Sequence, residues 1–244
     1  MYPIFLNENK EEFDELINSI FIDSKWELGE VLPKFSQEQL KYEPMLFSCS
    51  YSFAYDHGRE PTKAFLRALP KSWRNDFTIV DSRTHMLMKD WYPCIPGYHH
   101  DDVPRERSDG QPEYKDPSYR SEHCMAIYNG NICPTEFALG SSSFSDIPLG
   151  DVYYAKWHAI VLEKIKNGEL KNVSAPENQM IYFNDRTWHQ GTKAIDFGWR
   201  TFIRATRYIP TEKGKSGAKT IGRPNFNEIR KQVQVYMDNP MSGW

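Results

Sequence analysis

Four short segments rich in β-branched and aromatic residues constrain the fold of this chain most strongly. They lie at 77–88, 123–129, 179–183 and 200–209, and Gly, Pro or Asn residues bound them. Helical patterns bracket these segments without a regular strand-helix-strand alternation, which argues against a doubly wound sheet. The sequence therefore predicts a mainly β fold, an antiparallel sandwich or barrel with helices packed outside.

The flanking helices are predicted from apolar spacing and from capping residues. One helix is predicted from Pro61 to Pro70, another from the capping residue Asp151 to Gly168, and a third around 226–237. Near the N-terminus, apolar residues at helical spacing predict an amphipathic helix: Phe13, Leu16, Ile17, Ile20 and Phe21.

Length and composition are those of one domain with a substantial core. The 244 residues are 39% hydrophobic and 14% aromatic. We expect a helical support region at 1–76, a catalytic β core at 77–209, and a basic loop and helix at 210–244.

Charge and cysteine content bear on partners and compartment. A net charge of -3 gives no global attraction to nucleic acid or to anionic membranes. The four cysteines form no CxxC pair, which favours a reduced compartment. No run of roughly 18 apolar residues occurs, so a soluble cytoplasmic protein without a membrane partner is expected.

A dense group of histidines and aspartates follows Pro-Gly at the end of a predicted strand. The segment at 98–102 reads Tyr-His-His-Asp-Asp. In an extended backbone residues i and i+2 point the same way, so His99 pairs with Asp101 and His100 pairs with Asp102. Either pair is able to hold a metal ion, and a solvated cluster at a strand end is the structural alternative.

A single histidine, His189, lies far downstream at the turn after another predicted strand. Arg200 and Arg204 follow it by eleven and fifteen positions, on one face of the last strand. If that face points into a sandwich, each guanidinium needs an anion, because an unpaired buried charge costs several kcal/mol. The anion is either a ligand carboxylate, which an arginine fork binds at two points, or an internal side chain: Glu136, Asp185 or Asp81.

Taken together, these residues resemble the Fe(II)/2-oxoglutarate-dependent dioxygenase superfamily, whose signature is His-x-Asp, a distal His and then Arg. The resemblance covers 77–209 and aligns the signature with His99, Asp101, His189 and Arg200. It implies a jelly-roll core, or double-stranded β-helix, in which the first three of these residues hold a catalytic Fe(II) ion. The family-like phrase Pro-Gly-Tyr-His-His-Asp favours His99 and Asp101 over their neighbours.

The resemblance also implies 2-oxoglutarate and O₂ as co-substrates. The distal carboxylate of 2-oxoglutarate would reach Arg200, and Arg204 resembles a second arginine that some members direct at an anionic substrate or co-substrate. Many members place Ser or Thr two positions after the first arginine, where this chain has Phe202. The nearest hydroxyls by strand position are on Tyr128 and Tyr182, so Tyr128 is predicted as a further co-substrate-binding residue.

The primary substrate is not specified by any motif. Nucleobases, amino acids, small organic acids and protein side chains are all compatible with the sequence. The polar segment 103–121 directly follows the histidine-aspartate group, and its length predicts a mobile lid.

Two other functions fit parts of the sequence. A redox-neutral metal enzyme of cupin type would share the metal but not the co-substrate. A non-enzymatic binding module would use the segment 211–231 to bind nucleic acid, since it carries six basic residues against two acidic ones. A solvated tail is the plainer interpretation of that segment.

Overall fold

A computed structural model describes residues 19–108, 110–115, 117–145, 153–215, 222–231 and 235–237. Twelve strands and five α-helices occur in these ranges. In chain order they are β1 (Ser19–Ser24), β2 (Trp26–Val31), α1 (Gln37–Lys41), β3 (Met45–Phe47), β4 (Cys49–Ser50), α2 (Tyr51–His57), α3 (Glu60–Ala68), β5 (Ile79–Leu87), β6 (Tyr119–Tyr128), β7 (Thr135–Ser145), α4 (Tyr153–Lys166), β8 (Lys171–Ser174), β9 (Gln179–Asn184), β10 (Trp188–Gly191), β11 (Gly198–Pro210), α5 (Glu212–Lys215) and β12 (Glu228–Arg230).

The strands form two main antiparallel sheets. The larger sheet has six strands in the order β2, β9, β6, β11, β5, β4. In the smaller sheet, β7 pairs with β1 along one half of its length and with β10 and β8 along the other half. A separate pair joins β12 to β3. The expectation of a mainly β chain with a jelly-roll core is confirmed.

Alternation along β11 separates the interior of the sandwich from the helical exterior. Ile203 and Ala205 pack into a core with the helix residues Leu40 and Phe65. Phe202, on the other face, packs between the sheets against a second cluster: Met125, Ile127, Phe137, Ile181 and Phe183. Successive strand residues point to opposite faces, so Arg200 and Arg204 share the inner face with Phe202.

Helices cover the outer faces of both sheets. The region of α1, α2 and α3 packs apolar side chains on the larger sheet, and a capping box between Ser36 and Gln39 begins α1. Helix α4 places Trp157 and Val161 on the smaller sheet, beside Trp188 of β10. None of the helices in the described ranges is long and apolar enough to cross a membrane.

Two of the predicted helices have the expected positions. The helix between Pro61 and Pro70 is α3, and the helix that ends near Gly168 is α4. The capping residue predicted for α4, Asp151, lies outside the described residues.

The helix predicted at the N-terminus is wrong where the structure describes it. Ile20 and Phe21 belong to β1, in which Ile20 and Ile22 are buried and Phe21 is 63% exposed. Apolar spacing at 17, 20 and 21 fits a helix, but the alternation that continues to Ile22 has the period of a strand. The rest of the predicted helix, Phe13 included, lies outside the described residues.

The helix predicted around 226–237 is also wrong. This segment contributes β12, and Tyr236 forms a bridge with Tyr92. The backbone N–H groups of Phe226 and Asn227 donate to the carbonyl of Ser48, so tertiary pairing satisfies groups that a helix would have bonded locally. Strands β1 and β2 join the sheets from within the region expected to be helical, and the division into domains stays a prediction.

Tyr128 lies away from the interior that holds Arg200, and its role in binding the co-substrate stays a prediction. Tyr128 points to the helical exterior, where its hydroxyl donates to the carbonyl of Pro61 at 3.0 Å and its ring contacts Phe35. Tyr182 lies on the same exterior, near Trp73. Neither hydroxyl faces the interior that holds Arg200.

Replacing Tyr128 with Phe should therefore affect stability and leave co-substrate binding alone. Loss of the buried bond to Pro61 is expected to lower the free energy of unfolding by about 1 to 3 kcal/mol, because the carbonyl is left without its donor. Chemical denaturation measures this change. A variant of unchanged stability that binds 2-oxoglutarate more weakly would return Tyr128 to the site.

Candidate metal centre

Two histidines are placed side by side by a short antiparallel bridge. The backbone N–H of His99 donates to the carbonyl of His189 at 3.0 Å, and the reciprocal bond is 3.3 Å long. Their rings are 4.6 Å apart between centroids. Residues that face each other across such a bridge project to the same side, so the segment at 98–102 and strand β10 present both imidazoles to one point.

Backbone carbonyls orient the two rings. Nδ1 of His99 lies 2.8 Å from the carbonyl of Gly97, and Nδ1 of His189 lies 2.9 Å from the carbonyl of Thr187. A carbonyl only accepts, so each Nδ1 carries the hydrogen and each Nε2 presents a lone pair. This is the tautomer in which histidine binds a metal through Nε2.

Asp101 completes the group. One of its oxygens lies 3.1 Å from Nε2 of His189, and the other lies 3.9 Å from Nε2 of His99. One potential ligand atom from each of the three residues lies within 4.8 Å of the others. Two imidazoles and one carboxylate are a common donor set for a divalent transition metal.

The alternative pair, His100 and Asp102, points elsewhere. The ring of His100 stacks on Trp188 with centroids 3.6 Å apart, and its Nδ1 lies 2.5 Å from the hydroxyl of Tyr114. Asp102 forms ion pairs with Arg204 and Arg223. His100 and Asp102 are therefore not brought together with His189.

An ionic network lies directly behind Asp101. Arg204 forms ion pairs with Asp81, Asp101 and Asp102, and Arg223 pairs with Asp81 and Asp102. Burial alone would raise the pKa of Asp101, but Arg204 and then the close approach of the His189 ring outweigh it and hold that pKa well below its usual range. With the three carboxylates ionised, two guanidiniums leave one net negative charge beside the imidazoles.

Arg204 was expected to bind co-substrate, and the structure shows a different use of its charge. Its guanidinium is already shared among three carboxylates. It holds a candidate metal ligand in place. A role of Arg204 in binding the co-substrate stays a prediction.

Arg200 has the opposite environment. It is 2% exposed, its Nε donates to the carbonyl of Cys133 at 2.9 Å, and its Nη2 donates to the hydroxyl of Thr135 at 2.8 Å. Among the residues that the structure describes, no carboxylate forms an ion pair with it. Burial lowers the pKa of this guanidinium, and only the thiols of Cys133 and Cys94 oppose the effect.

The three internal carboxylates considered for Arg200 are all engaged elsewhere. Asp185 pairs with Arg120 at 2.7 Å, and Glu136 accepts a hydrogen bond from Gln190 at 3.0 Å. Asp81 belongs to the network around Arg204. The charge of Arg200 is therefore not balanced by any of them.

Thr135 is a site residue that the sequence did not reveal. It begins β7 and lies opposite Gly191, two residues beyond His189 on β10. Its hydroxyl accepts from Arg200, so β7 supplies a hydroxyl that Phe202 of β11 does not. The pairing of β7 with β10 decides this proximity, and no local motif signals that pairing.

Basic residues of the segment 211–231 have local partners. Lys213 pairs with Glu106 at 2.8 Å, Lys215 pairs with Glu212 at 2.6 Å, and Arg223 belongs to the network at Asp101. A nucleic-acid interaction through this segment stays a prediction.

Part of the predicted lid is anchored in the core. Val103 and Tyr114 are buried in the cluster that contains Trp157 and Trp188, and Arg186 donates to the carbonyl of Tyr114 at 2.6 Å. The mobility of the remaining residues of 103–121 stays a prediction.

Comparisons with known proteins link the chain only to solved structures. No family model matches it, and no curated protein matches it. An N-substituted L-amino acid dioxygenase from Burkholderia ambifaria AMMD is similar at 11% identity and a TM-score of 0.37, over 79% of this chain and 86% of that one.

HygX from Streptomyces hygroscopicus is also similar. Its iron-bound form has 11% identity and a TM-score of 0.31, over 85% of this chain and 88% of that one. Its form with nickel, 2-oxoglutarate and hygromycin B bound has 11% identity and a TM-score of 0.30, over 89% of this chain and 96% of that one. These TM-scores are too low to carry a functional assignment, so function is inferred below from the residues of this chain.

A pair of matched substitutions tests which histidine binds metal. His99→Phe should abolish tight Fe(II) binding, because it removes an Nε2 lone pair. His100→Phe should retain that binding, because the ring packs on Trp188 and contacts Tyr114 and does not face Asp101 and His189. Anaerobic Fe(II) titration distinguishes them, and the reverse pattern would assign the site to His100 and Asp102.

The metal-free protein should lose stability in acid at this site. Burial, and then the His189 ring, lower the pKa of His99 to about 4, whereas an unperturbed histidine titrates near ~6.5. The unfolded chain therefore takes up this proton at higher pH, so stability should fall as pH drops from about 6.5 to about 4. Urea midpoints across this window measure the loss.

Two controls assign this acid dependence to the site. His99→Phe should show a shallower dependence, since it lacks the titrating group. Saturating Zn²⁺ should offset part of the loss at the upper end of the window, because a bound cation favours the neutral ring. Identical pH profiles for the wild-type protein and His99→Phe would contradict the assignment.

Proposed function

We propose that this chain is an Fe(II)- and 2-oxoglutarate-dependent oxygenase that oxidises a second, organic substrate. The observation that carries the proposal is the combination of two features in one sandwich interior. One is the group of His99, Asp101 and His189, and the other is a buried arginine, Arg200, without an acidic partner. The first suits a divalent metal and the second requires an anion.

The chemistry of the donor set fits Fe(II). Two imidazole nitrogens and one carboxylate are the donor set of non-haem Fe(II) oxygenases, and they would leave coordination positions for a co-substrate and O₂. The single net negative charge of the Asp101 network suits a divalent cation. When bound, Fe(II) together with 2-oxoglutarate supplies the activation of O₂ and the oxidising power for the reaction.

Arg200 fits the distal carboxylate of the co-substrate. A planar guanidinium binds a carboxylate at two points, and the interaction is strong where water is excluded. Thr135, which accepts from Arg200, lies opposite Gly191, and strand rise places Gly191 roughly 7 Å beyond His189. This proximity would allow one small dicarboxylate to contact both the metal group and Arg200.

The remaining residues position these groups and exclude water. Arg204 holds Asp101, while Gly97 and Thr187 hold the tautomers of the two histidines. The rings of Phe137 and Phe183 lie 5.7 Å and 5.2 Å from the ring of His189. An apolar wall at this position strengthens every charged interaction at the site.

The main rival is a redox-neutral metal enzyme on the same fold. It would use the His99, Asp101 and His189 group but would leave the charge of Arg200 without a function. Anaerobic addition of Fe(II) and then 2-oxoglutarate separates the two, because the chelate has a weak visible charge-transfer band. Iron binding without that band would favour the rival.

Replacing Arg200 with Ala should weaken the binding of 2-oxoglutarate on the order of 10 to 100-fold, because a hydrogen bond to a charged group is worth roughly 1.5 to 3 kcal/mol. Fe(II) affinity should change far less. Arg200→Lys should recover part of the loss, since an ammonium lacks the two-point fork. Titration of the visible band gives the affinities.

Arg207→Ala is the matched control for that experiment. Arg207 lies on the opposite face of β11, stacked over Trp73 and paired with Glu122. The Arg207→Ala variant should bind 2-oxoglutarate as the wild-type protein does. Equal weakening in Arg200→Ala and Arg207→Ala would show a general loss of structure, and unchanged binding in both would remove Arg200 from the site.

A further inference from the structure

A histidine that the metal centre does not use lies beside Arg200. His85, on β5, is the direct neighbour of Arg200 across the ladder with β11. Residues opposite each other in such a ladder project to the same face, so His85 shares the sandwich interior with the guanidinium. It is 1% exposed.

The ring of His85 has polar atoms without partners. Both Nδ1 and Nε2 are buried and neither forms a hydrogen bond of ordinary geometry, although the carbonyl of Pro93 lies close enough to act on the ring. Most buried side-chain polar atoms in folded proteins are bonded, and each orphan costs on the order of 1 to 3 kcal/mol. A poorly bonded ring buried beside Arg200 is therefore suited to help bind an anion.

The charge state of His85 is set by its surroundings. Burial, and then the neighbouring Arg200 and Arg83, lower its pKa to about 3, against a smaller opposing effect of the Pro93 carbonyl. The ring is neutral near neutral pH and carries one N–H donor. Arg200 remains the one cation of the pair, and the thiols of Cys94 and Cys133 lie close enough to act on its pKa.

We infer that His85 binds the distal carboxylate of 2-oxoglutarate together with Arg200 and Thr135. The inference rests on the proposed function and extends it to a residue outside the signature. Thr135 accepts a hydrogen bond from Arg200, so its own hydroxyl hydrogen remains available to a ligand. The N–H of His85, the hydroxyl of Thr135 and the guanidinium converge on one acidic group.

This arrangement accounts for Phe202. The position that often carries a hydroxyl in similar proteins is apolar here and packs between the sheets. The proposed donors are instead His85 of β5, which neighbours Arg200 in the same sheet, and Thr135 of β7 in the other sheet. A carboxylate has about four lone-pair sites, so it has room for all three partners.

A purely structural role for His85 predicts a different effect of substitution on stability and on ligand binding. If His85 only fills space, an apolar side chain of similar size would remove two orphan polar atoms, raise stability, and leave ligand binding unchanged. If His85 binds the carboxylate, the same substitution would keep or raise the stability of the protein and lower its affinity for 2-oxoglutarate. The two possibilities therefore separate when stability and binding are both measured.

The experiment compares His85→Leu with the wild-type protein and with Thr84→Val, loaded anaerobically with Fe(II). Thr84 is the adjacent β5 residue on the other face, where its hydroxyl meets Thr201. We expect His85→Leu to melt at the same or a higher temperature, to bind Fe(II) as before, and to bind 2-oxoglutarate roughly tenfold more weakly or worse. Thr84→Val should bind it normally.

Two further measurements locate the effect. The analogue 2-oxobutyrate lacks the distal carboxylate, so wild-type protein and His85→Leu should bind it equally. His85→Gln keeps an N–H donor and should lose less affinity for 2-oxoglutarate than His85→Leu does; it also serves as the second variant if His85→Leu folds poorly.

The outcomes distinguish this inference from the proposed function. Wild-type affinity for 2-oxoglutarate in both His85 variants, with weakened binding in Arg200→Ala, would overturn the role of His85 and leave the oxygenase proposal intact. An equal loss for 2-oxobutyrate would also overturn it, because the effect would then lie at the metal. Wild-type protein that binds Fe(II) but no 2-oxoglutarate would overturn both.

Discussion

The arrangement depends on two guanidiniums that β11 carries into the space between two sheets. A charge in such a place is costly unless an anion meets it. Arg204 meets three carboxylates, one of which belongs to the candidate metal group. Among the described residues, Arg200 meets a carbonyl and a hydroxyl and forms no ion pair with an acid. The same physical requirement is thus met by carboxylates at Arg204 and not at Arg200, four residues earlier on the same face.

The groups that surround Arg204 and Arg200 differ in charge in the same way. Around Arg204, the segment that carries Arg223 returns to the larger sheet and adds a second cation to the carboxylate network. Around Arg200 lie a histidine with a low pKa, a threonine hydroxyl and two buried or half-buried thiols, and the exposed Arg83 is a further cation near the histidine. No carboxylate among the described residues pairs with Arg200, so an incoming carboxylate would find its strongest partner in the guanidinium.

Much of the fold is visible in the sequence because local patterns report it. The alternation in β11 specifies which residues face the helices and which face the interior, and the helices α3 and α4 follow from capping and apolar spacing. The errors lie where two periods fit the same residues, as at Ile20 and Phe21, or where distant pairing replaces a local helix, as in β12. Hydrogen bonds to Ser48 and to Met45–Phe47 decide the second case, and they join residues almost two hundred positions apart.

The sequence by itself determined which residue types were available for chemistry: a His-x-Asp pair, a distal histidine and two arginines on one face of a strand. Spacing along a chain specifies such sets because strand geometry repeats every two residues. Tertiary structure alone decided which side chains meet. The bridge between the segment at 98–102 and β10 separates His99 from His100. The pairing of β5 with β11 and of β7 with β10 brings His85 and Thr135 to Arg200, whereas Tyr128 lies outside. Strand register across a sheet depends on packing and hydrogen bonds between distant segments, which no local pattern in the sequence records.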